Sequence, residues 1–491
     1  MLRVHRESNL TPKQKGFVYQ VEAFDAVKDL PYSAVFHEQG LGKTKIGVDV
    51  VLYWLRNNIV DSVIVVTKKG LVQNWRDELS VHSYLEARVL SQDKRANFYA
   101  FNSPARIYLA HYEVIKSEKK RLSLFLKTRK VGVVLDEAHK IKNPESSVTK
   151  VFFSLAPGFT RRLIMTGTPI ANRPYDIWAQ IWFLDQGASL GNDFSEFKRD
   201  LDLTNDLADD PQKADRFQRA LVSLFAKIRP FSVRETKRSA DISLPEKELR
   251  NIEVELESRQ QEIYQRFRKE MSAIVVRENR AVLDDAEEML KRLMRLVQVA
   301  SNPRLVDDSY RTLPGKFPIL LNLIHGAVDG GEKMIVWTSF TDNVDWLARE
   351  LADFGAVRVH GGLSYLDRDR AIKDFKLDKN CKVLVATPGA AKEGLTLTVA
   401  NHAVFYDRSF SLDDYLQAQD RIHRISQTRP CHITNLIGID TIDEWVDVLL
   451  AAKHLAAQLG QGDINIDEYA RQATYAYGEM IRDVLGLDPT S

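Results

Sequence analysis

The chain is short of cysteine, nearly without net charge, and free of any apolar run long enough to cross a membrane. Only two cysteines, Cys381 and Cys431, occur in 491 residues. Both lie in apolar, strand-like surroundings, which predicts buried thiols in a reducing compartment and argues against a disulfide framework or a zinc site. With 69 basic and 67 acidic residues the formal charge is +2, so whole-chain electrostatics give no reason to expect a polyanionic partner. Any basic footprint has to be local. The longest apolar runs fall short of a membrane span, and Met1 to Leu10 is charged with no apolar core behind it, so neither a signal peptide nor an anchor is expected. No short-period repeat and no low-complexity tract is visible.

What is present is a long chain, 44% hydrophobic, sufficient for two or more domains with their own cores. Its most informative stretch is Glu38-Gln39-Gly40-Leu41-Gly42-Lys43-Thr44, between the apolar run Ser33–Phe36 and the helical pattern Ile46–Val51. A strand ending in a glycine turn that opens a helix aims backbone N–H groups and the helix N-terminus at one spot, which suits a phosphate. Gly40, Leu41 and Gly42 form the turn. Lys43 reaches toward β- and γ-phosphates and Thr44 offers a hydroxyl to Mg²⁺. The fuller consensus has another glycine where His37 stands.

Thr11 to Leu30 reads as a helix with Phe17, Val21, Phe24 and Val27 on one face. Short β-rich runs then alternate with helical ones: Val63–Thr67, Arg106–Ala110, Val131–Asp136 and Leu163–Thr166, with Val72–Leu79, Val148–Leu155 and Asp176–Leu184 between them. This alternation predicts a mostly parallel sheet covered by helices on both faces. From Phe194 to about Arg304 the texture is long, charged and helical, most clearly over Ser258–Gln298. Alternation returns with Met334–Thr338, Val357–Val359, Val383–Thr387, Val404–Tyr406 and His432–Leu436. Two amphipathic stretches, Asp443–Leu459 and Asp467–Leu485, close the chain. The boundaries are an N-terminal lobe at 1–190, a helical insertion at 191–312, a second α/β lobe at 313–450 and a helical extension at 451–491.

Three further stretches carry chemistry. Asp136-Glu137-Ala138-His139 follows a wholly apolar strand; beside a phosphate loop, Asp136 would hold Mg²⁺ through water and Glu137 would orient or deprotonate the attacking water. Thr166-Gly167-Thr168-Pro169 ends the next strand in a turn rich in hydroxyls. Gln417 to Arg424 reads as two helical turns, with Gln417, Arg421 and Arg424 at i, i+4 and i+7 on one face. Such a face suits neutralising charge on a transferred phosphoryl group. An ordinary helix face paired with Asp413, Asp414 and Asp420 accounts for the helix alone equally well.

Taken in order, Tyr19-Gln20, Gly40–Thr44, Asp136–His139, Thr166–Pro169 and Gln417–Arg424 resemble motifs Q, I, II, III and VI of helicase superfamily two. Leu71–Trp75, Asp136–Asn143, Arg229–Phe231 through Arg234 and Lys237 to Leu244-Pro245, Asn302-Pro303, Val336–Phe340, His360–Gly362, Arg368, Gly394–Leu397 and Arg421–Thr428 narrow the resemblance to the SWI/SNF-like DNA translocases. It extends from about Leu10 to Glu444. The departures are His37 for the family's aspartate, Lys392-Glu393 for small residues, Ser409-Phe410-Ser411 for Trp-Asn-Pro, and Ser426 for glycine.

The resemblance implies an α/β fold of two RecA-like parallel-sheet lobes with an inserted helical region and a C-terminal helical extension. It implies an ATP- and Mg²⁺-dependent motor moving on double-stranded DNA. Gln20 and Gly394 join the nucleotide set, and Gln417, Arg421 and Arg424 face the phosphates from the second lobe. Thr67, Lys68, His111, Thr338, Ser339 and Thr387 fall at positions suited to gripping a nucleic-acid backbone without reading bases. Trp75 and Trp337 lie in apolar patterns and read as core packing. A strand-separating or annealing helicase, an RNA-dependent remodeller and a scaffold without turnover stand as alternatives. The compact motor suggests a cytoplasmic factor of a bacterium or phage-infected cell, with a nuclear protein as the other possibility.

Overall fold

The computed structural model describes residues 9–103, 105–170, 174–201, 211–237, 239–240, 244–277, 286–390, 396–460, 463–464 and 468. The chain forms two compact units, one built on residues up to Ile242 with Ala456–Tyr469, the other on Ser243–Leu455.

Strands buried on both faces need apolar residues at nearly every position, and the first unit is assembled from such runs. Among the described residues its seven strands are β1 (Tyr32–Val35), β2 (Ser62–Thr67), β3 (Ala87–Val89), β4 (Ile107–His111), β5 (Val131–Asp136), β6 (Arg161–Met165) and β7 (Ser232–Val233). They pair in parallel in the order β3-β4-β2-β5-β6-β1-β7. Alternate residues divide between two cores: Ile64, Val66, Val133 and Leu135 pack on one face, Val63, Val65 and Val134 on the other with Ile46, Val50 and Trp54. The register sets Val66 beside Leu135, Asp136 beside Met165 and Val35 beside Met165. The carboxyl ends of β2, β5, β6 and β1 therefore stand in a row, the place where open parallel sheets bind ligands.

The second unit repeats the principle with, among the described residues, six strands: β8 (Lys247–Val254), β9 (Met334–Trp337), β10 (Val357–Val359), β11 (Val383–Ala386), β12 (His402–Phe405) and β13 (Cys431–Gly438). Their order is β10-β11-β9-β12-β13-β8, again parallel. Ile335 and Trp337 face one core, Met334 and Val336 the other.

Several elements differ from the sequence expectation. The helix expected over Thr11–Leu30 is confined to Val18–Val27. Ahead of it, the Lys13 N–H donates to the His82 carbonyl and its Nζ to the Ser80 carbonyl, so this segment is tied to the end of the helix Val72–His82 instead of winding on itself. The charged stretch between the lobes hides β8, an edge strand whose side chains are mostly exposed. The helical texture expected over Ser258–Gln298 is met by the helices Ser258–Arg277 and Ala286–Ser301. The helix Leu412–Gln419 stops short of Arg421. The stretch expected as a helix at 467–485 lies, apart from Glu468, outside the described residues, as does Gly394.

Candidate functional site

The turn after β1 adopts the conformation its glycines allow. Gly40 and Gly42 have φ of 88° and 69°, left-handed values that L side chains resist. The helix Lys43–Arg56 opens directly on Gly42, so its first N–H groups and its dipole face the turn. Lys43 is 8% exposed. Its Nζ donates to the carbonyls of His37 at 3.0 Å and Glu38 at 3.3 Å, holding the ammonium within the loop. Gln20 ties the preceding helix to the loop: its Nε2 donates to the Leu41 carbonyl at 3.0 Å, and its Oε1 accepts from the Phe17 N–H at 3.0 Å.

Beside the loop, Asp136 and Glu137 end β5. Asp136 Oδ2 accepts from Trp75 Nε1 at 2.8 Å and from Thr67 Oγ1 at 3.0 Å, while its carbonyl accepts from the Tyr112 hydroxyl at 2.8 Å. Glu137 is left-handed at φ 56°, a conformation costly for a non-glycine residue and concentrated at functional sites. Its Oε1 accepts from Gln39 Nε2 at 3.5 Å, and Gln39 Oε1 accepts in turn from Lys43 Nζ at 3.5 Å. Its Oε2 lies 3.2 Å from His139 Nδ1, which also lies 3.3 Å from the Thr166 hydroxyl. The phosphate loop, the carboxylate pair and the Thr166–Pro169 turn are thus joined side chain to side chain.

The two carboxylates are shifted in opposite directions. Burial raises the pKa of Asp136, the charge on Glu137 raises it further, and Trp75 and Thr67 oppose this. Burial pushes Glu137 up as well, but Lys68, His139 and Lys43 together hold it well below the usual range. A Glu137 held as carboxylate suits orienting a water molecule. Thr44 at the helix start and the unengaged Oδ1 of Asp136 supply the hydroxyl and carboxylate expected of a Mg²⁺ site completed by phosphate oxygens and water. Among the described residues no group of three or more His, Cys, Asp or Glu side chains forms a separate metal site.

The residues expected to grip a nucleic-acid backbone fare unequally. Thr67 and Thr338 are corrections: both are wholly buried, and each donates its hydroxyl to an aspartate, Asp136 and Asp407 respectively. The Lys68 Nζ is likewise enclosed, without a hydrogen-bond partner. His111 is buried at the end of β4, its Nδ1 2.8 Å from Glu113 Oε2. Thr387 is buried and accepts the Ala390 N–H. Ser339 keeps a half-buried side chain, and its N–H donates to Asp407 Oδ1 at 2.7 Å.

In the second unit the single-face helix expected for Gln417, Arg421 and Arg424 is also corrected. The helix ends at Gln419 because the carbonyls beyond it are taken from outside the helical ladder. Arg424 Nε donates to the Asp420 carbonyl at 2.9 Å, and the Leu397 N–H to the Arg421 carbonyl at 2.9 Å. Gln427 secures the turn, its Nε2 donating to the carbonyls of Ile422 at 3.1 Å and Ala400 at 2.9 Å. Arg424 Nη1 reaches Thr396 Oγ1 at 3.1 Å, and Gln417 Nε2 reaches Asp413 Oδ1 at 2.8 Å.

Sequence reasoning missed Gln39, and its reading of Trp75 as core packing is borne out by burial in the core but left the indole N–H without a partner. Gln39 was inconspicuous within a glycine loop. Trp75 is almost fully buried, as a core tryptophan should be, but its N–H partner lies 61 positions away. A nearby sequence feature is Gly47, a glycine inside a helix, where a Cβ would come within 3.0 Å of Met165 Sδ and 3.1 Å of the Trp75 ring.

A phosphate loop and a strand-end carboxylate pair, side by side at the carboxyl edge of a parallel sheet, are the arrangement of a P-loop nucleoside triphosphatase. The SNF2-related domain matches residues 33–305 and the helicase conserved C-terminal domain residues 315–426. The chain belongs to the SNF2-related family, whose matched relatives include proteins named as ATP-dependent helicases. It is 28% identical over 432 residues to the human SWI/SNF-related matrix-associated actin-dependent regulator of chromatin subfamily A member 1, covering 83% of this chain and 40% of that protein. It is 27% identical to an ATP-dependent helicase of Mycoplasma genitalium, covering 89% of this chain and 41% of the relative. The chain thus spans about two fifths of the length of these relatives. The Sulfolobus solfataricus SWI2/SNF2 ATPase core in complex with dsDNA is similar at 25% identity over 97% of this chain and 98% of that one, with a TM-score of 0.42, too low to add to the assignment.

Proposed function

We propose that this chain is an ATP-hydrolysing motor, stimulated by DNA, that translocates on the duplex and so displaces or remodels what is bound there. The observation that carries the enzymatic part is the chain of contacts from Lys43 through Gln39 to Glu137, next to Asp136. It brings a phosphate-binding lysine and a water-orienting carboxylate into one site.

In this reading Gly40, Leu41, Gly42 and Lys43 bind the phosphates of ATP, with Lys43 exchanging its loop carbonyls for phosphate oxygens. Gln20 holds the loop. Thr44 and Asp136 would hold Mg²⁺, which supplies charge neutralisation across the phosphates when bound. Glu137 orients the attacking water, and His139 links its state to Thr166. Arg421 and Arg424 are the residues on which turnover depends beyond binding. Gln417 steadies that segment through Asp413, and Gly394 belongs to the nucleotide set by motif.

For the duplex, a grip on phosphates needs hydroxyls, N–H groups and local cations with no base reading; Ser339 and the exposed Lys69 are the proposed contacts. The basic run from Lys116 to Lys130 is read as a solvated face, since Lys116 pairs with Ser147 and Arg121 with Glu118. No helix among the described residues is long and apolar enough to cross a membrane. Work in the cytoplasm of a bacterial or phage-infected cell fits the Mycoplasma relative.

The test is ATP hydrolysis with no polymer, duplex DNA, single-stranded DNA or RNA, with Lys43→Ala as the blank. Duplex DNA should stimulate most, and turnover should rise with duplex length. Strongest stimulation by RNA removes the DNA reading, and no turnover on any polymer leaves a nucleotide-binding scaffold.

A further inference from the structure

Asp136 has two carboxylate oxygens, and the fold treats them unequally. Oδ2 receives two donors, the Trp75 indole N–H at 2.8 Å and the Thr67 hydroxyl at 3.0 Å. Among the described residues no donor reaches Oδ1. Two donors converging on one oxygen from separate elements, the end of β2 and the helix Val72–His82, fix the rotation of the carboxylate about its Cβ–Cγ bond. The other oxygen is then left in a set direction. Beyond its N–H, the indole ring shares the space over Gly47 with Met165, a Cβ there meeting Met165 Sδ at 3.0 Å and the ring at 3.1 Å. Gly47 lies one helical turn beyond Lys43, on the same face of that helix. A glycine inside a helix is disfavoured relative to alanine, and here it leaves room for both Met165 and the ring. Trp75 therefore touches the helix that carries Lys43 and Thr44 and, through its only polar atom, the carboxylate that ends β5.

We propose that Trp75 and Thr67 are positioning residues for the metal: they anchor Asp136 Oδ2 so that Oδ1 is presented to Mg²⁺. This rests on the reading of Asp136 as a holder of Mg²⁺. Donors one step behind a metal ligand orient it, and their removal typically weakens metal affinity 10–100-fold.

The test uses the full chain and a fluorescent ATP analogue whose binding is titrated with Mg²⁺, together with Mn²⁺ occupancy read by electron paramagnetic resonance. Trp75→Phe keeps the aromatic bulk and removes the N–H; Thr67→Val keeps the shape and removes the hydroxyl. Each should raise the half-saturating Mg²⁺ about 10-fold, lower Mn²⁺ occupancy in parallel, and leave binding of the analogue in metal-free buffer unchanged. Thr67→Ser should restore the wild-type titration. Both variants titrating like wild type, while Asp136→Asn is shifted, would show that the donors serve stability alone and overturn the proposal. Asp136→Asn titrating like wild type would instead remove the underlying role of Asp136. If Trp75→Phe does not fold, the Thr67 pair of variants decides.

Discussion

Each unit ends a central strand close to a buried aspartate, and the two aspartates are held in opposite ways. Asp136 ends β5, and its neighbour β2 ends in Thr67. Asp407 follows β12, and its neighbour β9 leads into Thr338. In both units the threonine hydroxyl donates to Oδ2 of the aspartate. In the first unit the second donor on that oxygen is Trp75, and Oδ1 is left open. In the second, Ser301 joins Thr338 on Oδ2 at 2.6 Å and the Ser339 N–H takes Oδ1 at 2.7 Å. Asn343 closes that network, donating to Ser301 Oγ at 3.0 Å and Thr338 Oγ1 at 3.1 Å and accepting from Asn302 at 3.0 Å. The strand-end carboxylate of the first unit thus keeps one oxygen spare, whereas that of the second is a tie joining strand ends to the helix Ala286–Ser301.

If the second unit serves turnover through its arginines and not through Asp407, Arg424→Ala should lower hydrolysis about 1000-fold. Binding of a fluorescent ATP analogue should stay near wild type. Near-normal hydrolysis by this variant would deprive the second unit of its assigned chemistry.

The two aspartates should then part company. Asp136→Asn is expected to cost about 100-fold in turnover with little loss of stability, because a neutral side chain relieves the repulsion from Glu137 and still accepts on one oxygen. Asp407→Asn is expected to lose about 3 kcal/mol of stability, because both oxygens accept donors and the amide NH2 must replace one of these acceptors. Urea unfolding and steady-state hydrolysis of both variants measure this, and equal stability losses would erase the distinction. Next, Asn343→Ala should destabilise by about 3 kcal/mol through the polar groups it strands. Combined with Ser301→Ala, its effects should be non-additive; simple additivity would dissolve the network into independent bonds.

The smallest effect belongs to the first unit. His37 is buried beside the loop. Burial, and then the charge on Lys43, lowers its pKa to about 4. Above the unfolded value near 6.5 both states are neutral and the group is silent. As pH falls toward 4 the unfolded chain takes a proton that the folded one refuses, so stability declines. Between pH 7.5 and pH 5 the loss should be about 2 kcal/mol, and His37→Gln should abolish that increment. Equal acid losses in both proteins would assign the sensitivity to other groups.

Much of this was legible along the chain. Parallel strands buried on both faces are apolar at nearly every position, so β2, β5, β9 and β11 stand out as valine- and isoleucine-rich runs. The phosphate loop is legible because its glycines are required by local backbone conformation. What escaped was whatever depends on a distant partner. β8 is an edge strand with a charged, exposed surface, and nothing local distinguishes it from the helices around it. The helix at Gln417 looked continuous to Arg424, but the carbonyls of Asp420 and Arg421 are claimed by the Arg424 side chain and by the Leu397 N–H.

By itself the sequence determined the local chemistry: a loop that cradles phosphate, a carboxylate pair at a strand end, and two alternating α/β halves. Spacing, turn chemistry and apolar periodicity act within a few residues, and these features depend on nothing further. Only the tertiary structure decided which side chains serve that chemistry. Thr67 and Thr338 turned inward because the aspartates on neighbouring strands accept their hydroxyls at short range. Trp75 proved more than filler, because a buried indole N–H must find an acceptor and the fold offered it Asp136.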